Sequence, residues 1–176
     1  MNFIKRFFVR KQLQKLLHNN NNQRYAPRFA EAKQIGILFD ANNQDMEKPL
    51  ANLIRQLEKE GKSVVPFTYF EGERQAAFQF PYEAFTSSDI DWLGNVRSEK
   101  VHKFMGKKFD FLFCFQETAN EVIDLILAGS QAKCRVGIYQ QGRENFYELM
   151  LIPEPNAKQE QMVALALQYT KTICQN

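Results

Sequence analysis

The chain has 176 residues, 44% of them hydrophobic and 24% charged, with a net charge of +3. That composition suits one soluble domain with a real core and excludes disordered, collagen-like and disulfide-rich classes. The charge is uneven: residues 1–30 carry seven basic side chains and no acid, so the remainder is net acidic.

Residues 2–18 read as a basic helix, stopped by the asparagine run at 19–22, because asparagine favours turns over helix interiors. Residues 24–32 read as a linker containing Pro27. "KQIGILFD" at 33–40 is an apolar run ending in an acid, the pattern of a strand buried on both faces. Leu50, Leu53, Ile54 and Leu57 recur at helical spacing before Gly61, where a helix stop is expected. "KSVVPFTYF" at 62–70 is a second strand, and Pro66 places it at an edge or a break. A short strand near 78–80 and a short helix at 98–105 follow. "KFDFLFCF" at 108–115 is the strongest strand signal, and the helix of "ETANEVIDLILAGS" leads to a strand at 134–139. The turn "QQGREN" before "FYELMLI" at 146–152 is too short for a parallel crossover, so that last strand is expected to be antiparallel. Residues 156–173 form a closing helix.

Alternating strands and helices predict an α/β, three-layer Rossmann-like sandwich. The expected sheet is mostly parallel, in order 2-1-3-4-5 with the last strand antiparallel, preceded by an N-terminal basic helix. The expected organisation is a basic arm and hinge at 1–23, a linker at 24–32 and a single α/β domain at 33–176. Scattered Cys114, Cys134 and Cys174 fit reduced thiols, and no apolar run approaches the ~18 residues needed to span a bilayer. With no secretory leader pattern, a cytoplasmic location is expected, peripheral to a membrane or the ribosome if the arm docks there.

Few residues carry chemistry. Asp89 and Asp91 form a D-x-D beside Trp92, the only tryptophan. Such a pair can hold a divalent ion, but Thr86, Ser87 and Ser88 before it and Gly94 after it are turn residues. The favoured reading is a turn, with Trp92 as a structural anchor buried in the domain. Asp40 ends the first strand, where ligands gather in doubly wound folds. A two-carboxylate phosphatase needs a second acid at the position of Asn42, and an amide cannot transfer that proton. No glycine-rich phosphate loop follows the strand. Asp40, Asn42, Asp89 and Asp91 therefore remain polar groups of a weak ligand crevice. No catalytic residue, metal or cofactor is indicated.

The arm is more informative. Phe3, Ile4, Phe7 and Phe8 form one apolar cluster, and Val9, Leu13, Leu16 and Leu17 another on the nearly opposite side. Such a helix packs one side on its own domain and offers the other to a partner. With Lys5, Arg6, Arg10, Lys11 and Lys15 alongside the Phe3, Phe7 and Phe8 patch, the expected partner is an anionic surface (a membrane face or ribosomal RNA) or a second subunit. The function read from the residues is a non-catalytic interaction module. The alternative is a small-ligand binder or glycosyltransferase-like enzyme using the crevice near Asp40.

Several segments resemble a bacterial family of unassigned activity, known from the Bacteroidota: "IGILFDA", "FTSSDIDWLGNVRSEKVHKFM", "KFDFLFCF", "AKCRVGIY" and "FYELMLI". The block around Ile90, Trp92 and Gly94 is the most distinctive. A remoter likeness links "FDFLFCFQETANEVIDLILAGSQAKCRVG" to the N-terminal lobe of heptosyltransferase-like glycosyltransferases, through Phe109, Asp110, Leu112, Ala132, Lys133, Arg135, Val136 and Gly137. That resemblance implies a Rossmann-like fold. In those two-lobed enzymes the nucleotide sugar binds largely to the second lobe, and no such lobe lies within these residues.

Overall fold

The computed structural model describes residues 3–20, 23–41, 44–71, 81–116 and 118–175. Helix α1 spans Phe3–Asn19, and strand β1 spans Gln34–Asp40. Helix α2 (Glu47–Lys59), β2 (Ser63–Tyr69) and β3 (Glu83–Phe85) follow. Then come α3 (Glu99–Gly106), β4 (Phe111–Phe115), α4 (Glu121–Gly129), β5 (Cys134–Ile138), β6 (Leu149–Leu151) and α5 (Gln159–Ile173). The strand expected near 78–80 falls outside the described residues.

The six strands form one sheet in the order β3-β2-β1-β4-β5-β6, with every pair parallel. This corrects the expected order in two ways. A short strand, β3, adds outside β2, pairing only with Phe67, Thr68 and Tyr69. Pro66 thus sits on the part of β2 that β3 leaves uncovered, where a missing N–H costs no ladder bond. The last strand is also parallel, not antiparallel. The reason is length: β6 is three residues rather than seven, so residues 139–148 are released to cross over. That crossover carries a 3-10 turn at Glu144–Phe146 and buries Arg143, Phe146 and Tyr147. Gly137 of β5 makes room for it, since a Cβ there would collide with the Tyr147 ring.

Two apolar layers flank the sheet. One unites Ile35, Ile37 and Phe39 of β1 and Phe111, Phe113 and Phe115 of β4 with α2 and α5. The other unites Leu38, Leu112 and Phe67 with α1, α3 and α4. Alternate residues of each strand face opposite layers, as the pleat requires.

Helix α4 explains where α1 goes. Val122, Ile123, Leu125, Ile126, Leu127 and Ala128 are all buried, so α4 is apolar on more sides than a sheet can cover. Helix α1 covers the remainder. Val9 is fully buried, and Leu13, Leu16 and Leu17 pack on the same core. Full burial of Val9 alone is worth ~1.5–3 kcal/mol. The segment after α1 is tied down as well: Asn20 donates to the Ala128 and Ser130 carbonyls, and Arg24 to those of Ala132 and Ser130. Lys62 Nζ donates to the Phe29 and Ala32 carbonyls at 2.8 and 2.9 Å.

Candidate functional site

An order of 3-2-1-4-5-6 has its topological switch point between β1 and β4, where neighbouring crossovers run to opposite faces and a crevice opens beyond the strand ends. A cavity of about 300 Å³ lies there. Asp40 ends β1, Tyr69 ends β2 and Glu71 follows it. Asn120 and Glu121 bring the start of α4, Ser87 the turn after β3, and Arg6 of α1 closes one side.

The lining is rich in hydrogen-bond acceptors. Arg6 and Arg10 each donate through Nε to Glu121 Oε1, at 2.9 and 2.6 Å. Glu121 Oε2 is buried and has no hydrogen-bond partner among the described residues. The start of α4 is already capped, because Asn120 Oδ1 accepts from the Val122 and Ile123 N–H groups. Burial raises the Tyr69 phenol above its ordinary value, and the Glu71 carboxylate adds to the rise.

Of the expected crevice residues, Asp40 lines the cavity. Asn42 lies outside the described residues. Asp89 and Asp91 do not line the crevice, because both are turned into their own turn. Asp89 Oδ2 accepts from the Thr86 N–H at 2.8 Å in a reciprocal cap. Asp91 Oδ1 accepts from the Leu93 and Asn95 N–H groups, while its Oδ2 accepts from Asn95 Nδ2 and Arg97 Nε. Desolvation pushes the Asp91 carboxyl up, but these donors outweigh it and hold the carboxyl below its usual value.

Trp92 is not the expected buried anchor: its side chain is 60% exposed. Ile90, 1% exposed, fills the core instead, and Gly94 lets the turn meet the α1 backbone. The turn points the indole outward, where it lies edge-on to Phe8 at 5.7 Å.

The basic side chains of α1 divide between two tasks. Lys5 Nζ donates to the Ser87 and Ile90 carbonyls, both at 2.6 Å, and burial lowers its ammonium against the pull of Asp91. Arg6 and Arg10 hold Glu121, whereas Lys11 and Lys15 are exposed. Phe3, Ile4 and Phe7 are exposed too, at 83%, 59% and 60%.

A second polar cluster is sealed inside. Arg143 Nη2 donates to Asp124 Oδ1 at 2.5 Å, and both side chains are buried. With its amide carbonyl turned inward, Gln116 accepts from Arg143 and from the Tyr147 hydroxyl. Burial drives the adjacent Cys114 thiol up to about 12, so it is inert packing rather than a nucleophile.

Sequence reasoning missed Tyr69, Glu71, Asn120 and Glu121. Their position immediately after strands or before a helix was the available signal, because switch-point ligands meet residues at strand carboxyl ends.

The sheet order and the crevice define an α/β protein of the Rossmann-like, doubly wound class. Within that class the chain belongs to the family of unknown function DUF6913, whose model matches residues 5–173. No curated protein and no solved structure matches the chain.

Proposed function

We propose that this protein is a non-catalytic docking module that binds an anionic membrane surface through the outer face of α1 and the Trp92 turn. The observation that carries this reading is the apolar tip formed by Phe3, Ile4, Phe7, Trp92 and Leu93, all exposed. Phe7, Phe8 and Trp92 form a continuous chain of edge-to-face rings. Aromatic and aliphatic side chains clustered this way on a surface mark an interaction site, and tryptophan suits the membrane interface.

A helix lying on a membrane needs one apolar stripe rather than two opposed clusters. The core consumes Val9, Leu13, Leu16 and Leu17, so a single outer stripe is left. Along that stripe the apolar tip gives way to exposed Lys11 and Lys15. An apolar edge for the acyl boundary next to cations for anionic headgroups is the arrangement such surfaces select. A second copy of the chain complements it less well. A two-fold contact sets Lys11 and Lys15 against their own copies or against the apolar tip. Among the described residues no helix is long and apolar enough to cross a membrane.

The likeness to glycosyltransferase lobes does not favour a transferase. Its residues have structural duties here: Lys133 donates to Asp110, Arg135 to Glu148, and Gly137 admits Tyr147.

The test is flotation of the full chain with phosphatidylglycerol vesicles and with phosphatidylcholine vesicles. Expected is binding to the anionic vesicles alone, weakened by salt. A blue shift of Trp92 emission should accompany it, and Phe3→Ser/Phe7→Ser or Lys11→Glu/Lys15→Glu should abolish it. A chain that stays with the buffer, or that forms a dimer dispersed by Phe3→Ser/Phe7→Ser, overturns the reading.

A further inference from the structure

We infer that Arg6 and Arg10 clamp the headgroup of a phosphomonoester lipid, the chemistry of phosphatidic acid, at the edge of the apolar tip. This rests on the membrane attachment proposed above and names the headgroup it selects. The two guanidinium groups converge on one point, because each Nε donates to the same oxygen, Glu121 Oε1, at 2.9 and 2.6 Å. The Glu121 side chain is 14% exposed, whereas those of Arg6 and Arg10 are 55% and 60% exposed. The carboxylate thus engages only one edge of each guanidinium. Among the described residues neither arginine makes a further hydrogen bond or ion pair, so the Nη groups of both remain available. Two positive charges held against a single carboxylate leave one charge unmatched, which a second anion completes. Fastening α1 does not require this pair. Val9, Leu13, Leu16 and Leu17 already pack the helix on the core, and Lys5 donates to the Ser87 and Ile90 carbonyls. Exposed ion pairs add little to such packing.

Donor geometry then narrows the class. A guanidinium presents a planar fork that matches two oxygens of one phosphate. With Nε engaged, each arginine keeps the fork made by its two Nη groups. The two unesterified oxygens of a phosphodiester fill one such fork. Two forks side by side need three oxygens, the middle one shared, and a phosphomonoester presents three. It also carries about −1.5 to −2 at neutral pH, more than the single charge of a diester, so paired cations favour it. The position fits a headgroup. Arg6 and Arg10 follow Phe3 and Phe7 by three residues, so at helical spacing each arginine lies beside an exposed ring. That sets the clamp on the border of the apolar stripe, at the depth of a lipid phosphate when the rings enter the acyl boundary. Arg6 lines the switch-point crevice and Arg10 does not, which places the pair at the rim of that cavity rather than within it. Exposed Lys11 and Lys15 serve the general attraction to an anionic surface. The arginines differ because Glu121 orders them before any lipid arrives, and donors ordered in advance lose less freedom on binding.

The test is flotation of the full chain with phosphatidylcholine vesicles carrying either phosphatidic acid or phosphatidylglycerol, matched for surface charge. A second arm titrates dihexanoyl phosphatidic acid, kept below its micelle concentration, while NMR follows the arginine Nε–H resonances. Expected is binding about fivefold tighter or more to the phosphatidic acid vesicles, with a shift of the Arg6 and Arg10 resonances. Arg6→Lys/Arg10→Lys keeps both charges and removes both forks. It should bind phosphatidylglycerol vesicles within about twofold of the parent and lose the preference. Its thermal unfolding midpoint should stay within a few degrees. Equal binding to the two charge-matched vesicles, or a preference that survives in the lysine variant, overturns the clamp and leaves surface attachment standing. No binding to either vesicle overturns attachment and with it the lipid source. Shifted resonances would then reassign the clamp to a soluble phosphomonoester, and unshifted ones would remove it.

Discussion

Phe8 and Trp92 meet edge to face, with ring centroids 5.7 Å apart and planes at 81°, although the indole is 60% exposed. A buried tryptophan lost to alanine costs ~3–5 kcal/mol. Here only the aromatic contact and part of the indole surface are lost, so Trp92→Ala should cost about 0.5–1.5 kcal/mol. Chemical denaturation measures it. Trp92 is the only tryptophan, so its emission reports this site alone and should resemble water-exposed indole in the free protein. A loss above 3 kcal/mol in roughly the buried-core range would return the indole to the interior.

Gly94 fixes how the Trp92 turn meets α1. Its φ is +81°, and a Cβ would lie 2.9 Å from the Val9 Cα, a backbone atom that cannot turn away. Gly142 has the same φ of +81° but nothing within 4 Å. Gly142→Ala therefore carries the left-handed strain alone, ~1–2 kcal/mol. Gly94→Ala adds displacement of α1 and should cost at least ~1 kcal/mol more. Unfolding of the two variants side by side tests this, and equal losses would mean that α1 does not press on the turn.

The elements legible in the sequence were those with strong periodicity and clear stops: β1, α2, β4, α4 and α5. The strand "FLFCF" is apolar at every position because both faces are covered. What was not legible depended on tertiary geometry. Nothing in "FYELMLI" shows that only Leu149–Leu151 pair, so the direction of β6 was read from too short a connection. Trp92 was read as core because large aromatics are usually buried, and the turn that points it outward is set by hydrogen bonds to Asp91. The docking side of α1 was half visible: Val9, Leu13, Leu16 and Leu17 declared an inner face. That α4 is the helix it covers was not foreseen, although buried Ile123 and Leu127 give α4 more apolar surface than one face needs. The crevice was visible only at Asp40, because its other residues come from distant strand ends that the sheet order brings together.

Among the described residues, Arg143 and Asp124 form the most enclosed ion pair, with side chains 6% and 8% exposed. Burial raises the Asp124 carboxyl against the pull of the guanidinium. Removing one partner leaves the other charge buried and unmatched. Arg143→Met should therefore cost ~3–5 kcal/mol. The double variant Arg143→Met/Asp124→Leu should recover most of that loss, because desolvation of both charges disappears together. A double-mutant cycle by urea unfolding measures the coupling. Additive losses would show that the pair is not a unit.

Asp110 ties three separate segments together at the base of the sheet. Its Oδ2 accepts from the Lys33 and Gln34 N–H groups at 2.8 and 2.9 Å, and its Oδ1 from Lys133 Nζ at 2.7 Å. Partial burial pushes its carboxyl up, but the Gln34 N–H, the Lys133 ammonium and the Lys33 N–H outweigh that and hold it below the ordinary value. A carboxyl depressed in the folded state binds its proton less readily there than in the unfolded chain. Its stabilisation is thus full above the unfolded value near ~4 and is lost as pH falls through the lower folded value. Asp110→Asn should cost ~1–3 kcal/mol at neutral pH, since charge-assisted bonds become ordinary ones and the Lys133 partner is lost. The gap between the parent and variant midpoints should narrow steadily as pH drops from about 4. Thermal unfolding of both proteins across that range decides it, and a gap independent of pH would mean that the Asp110 charge contributes nothing to the fold.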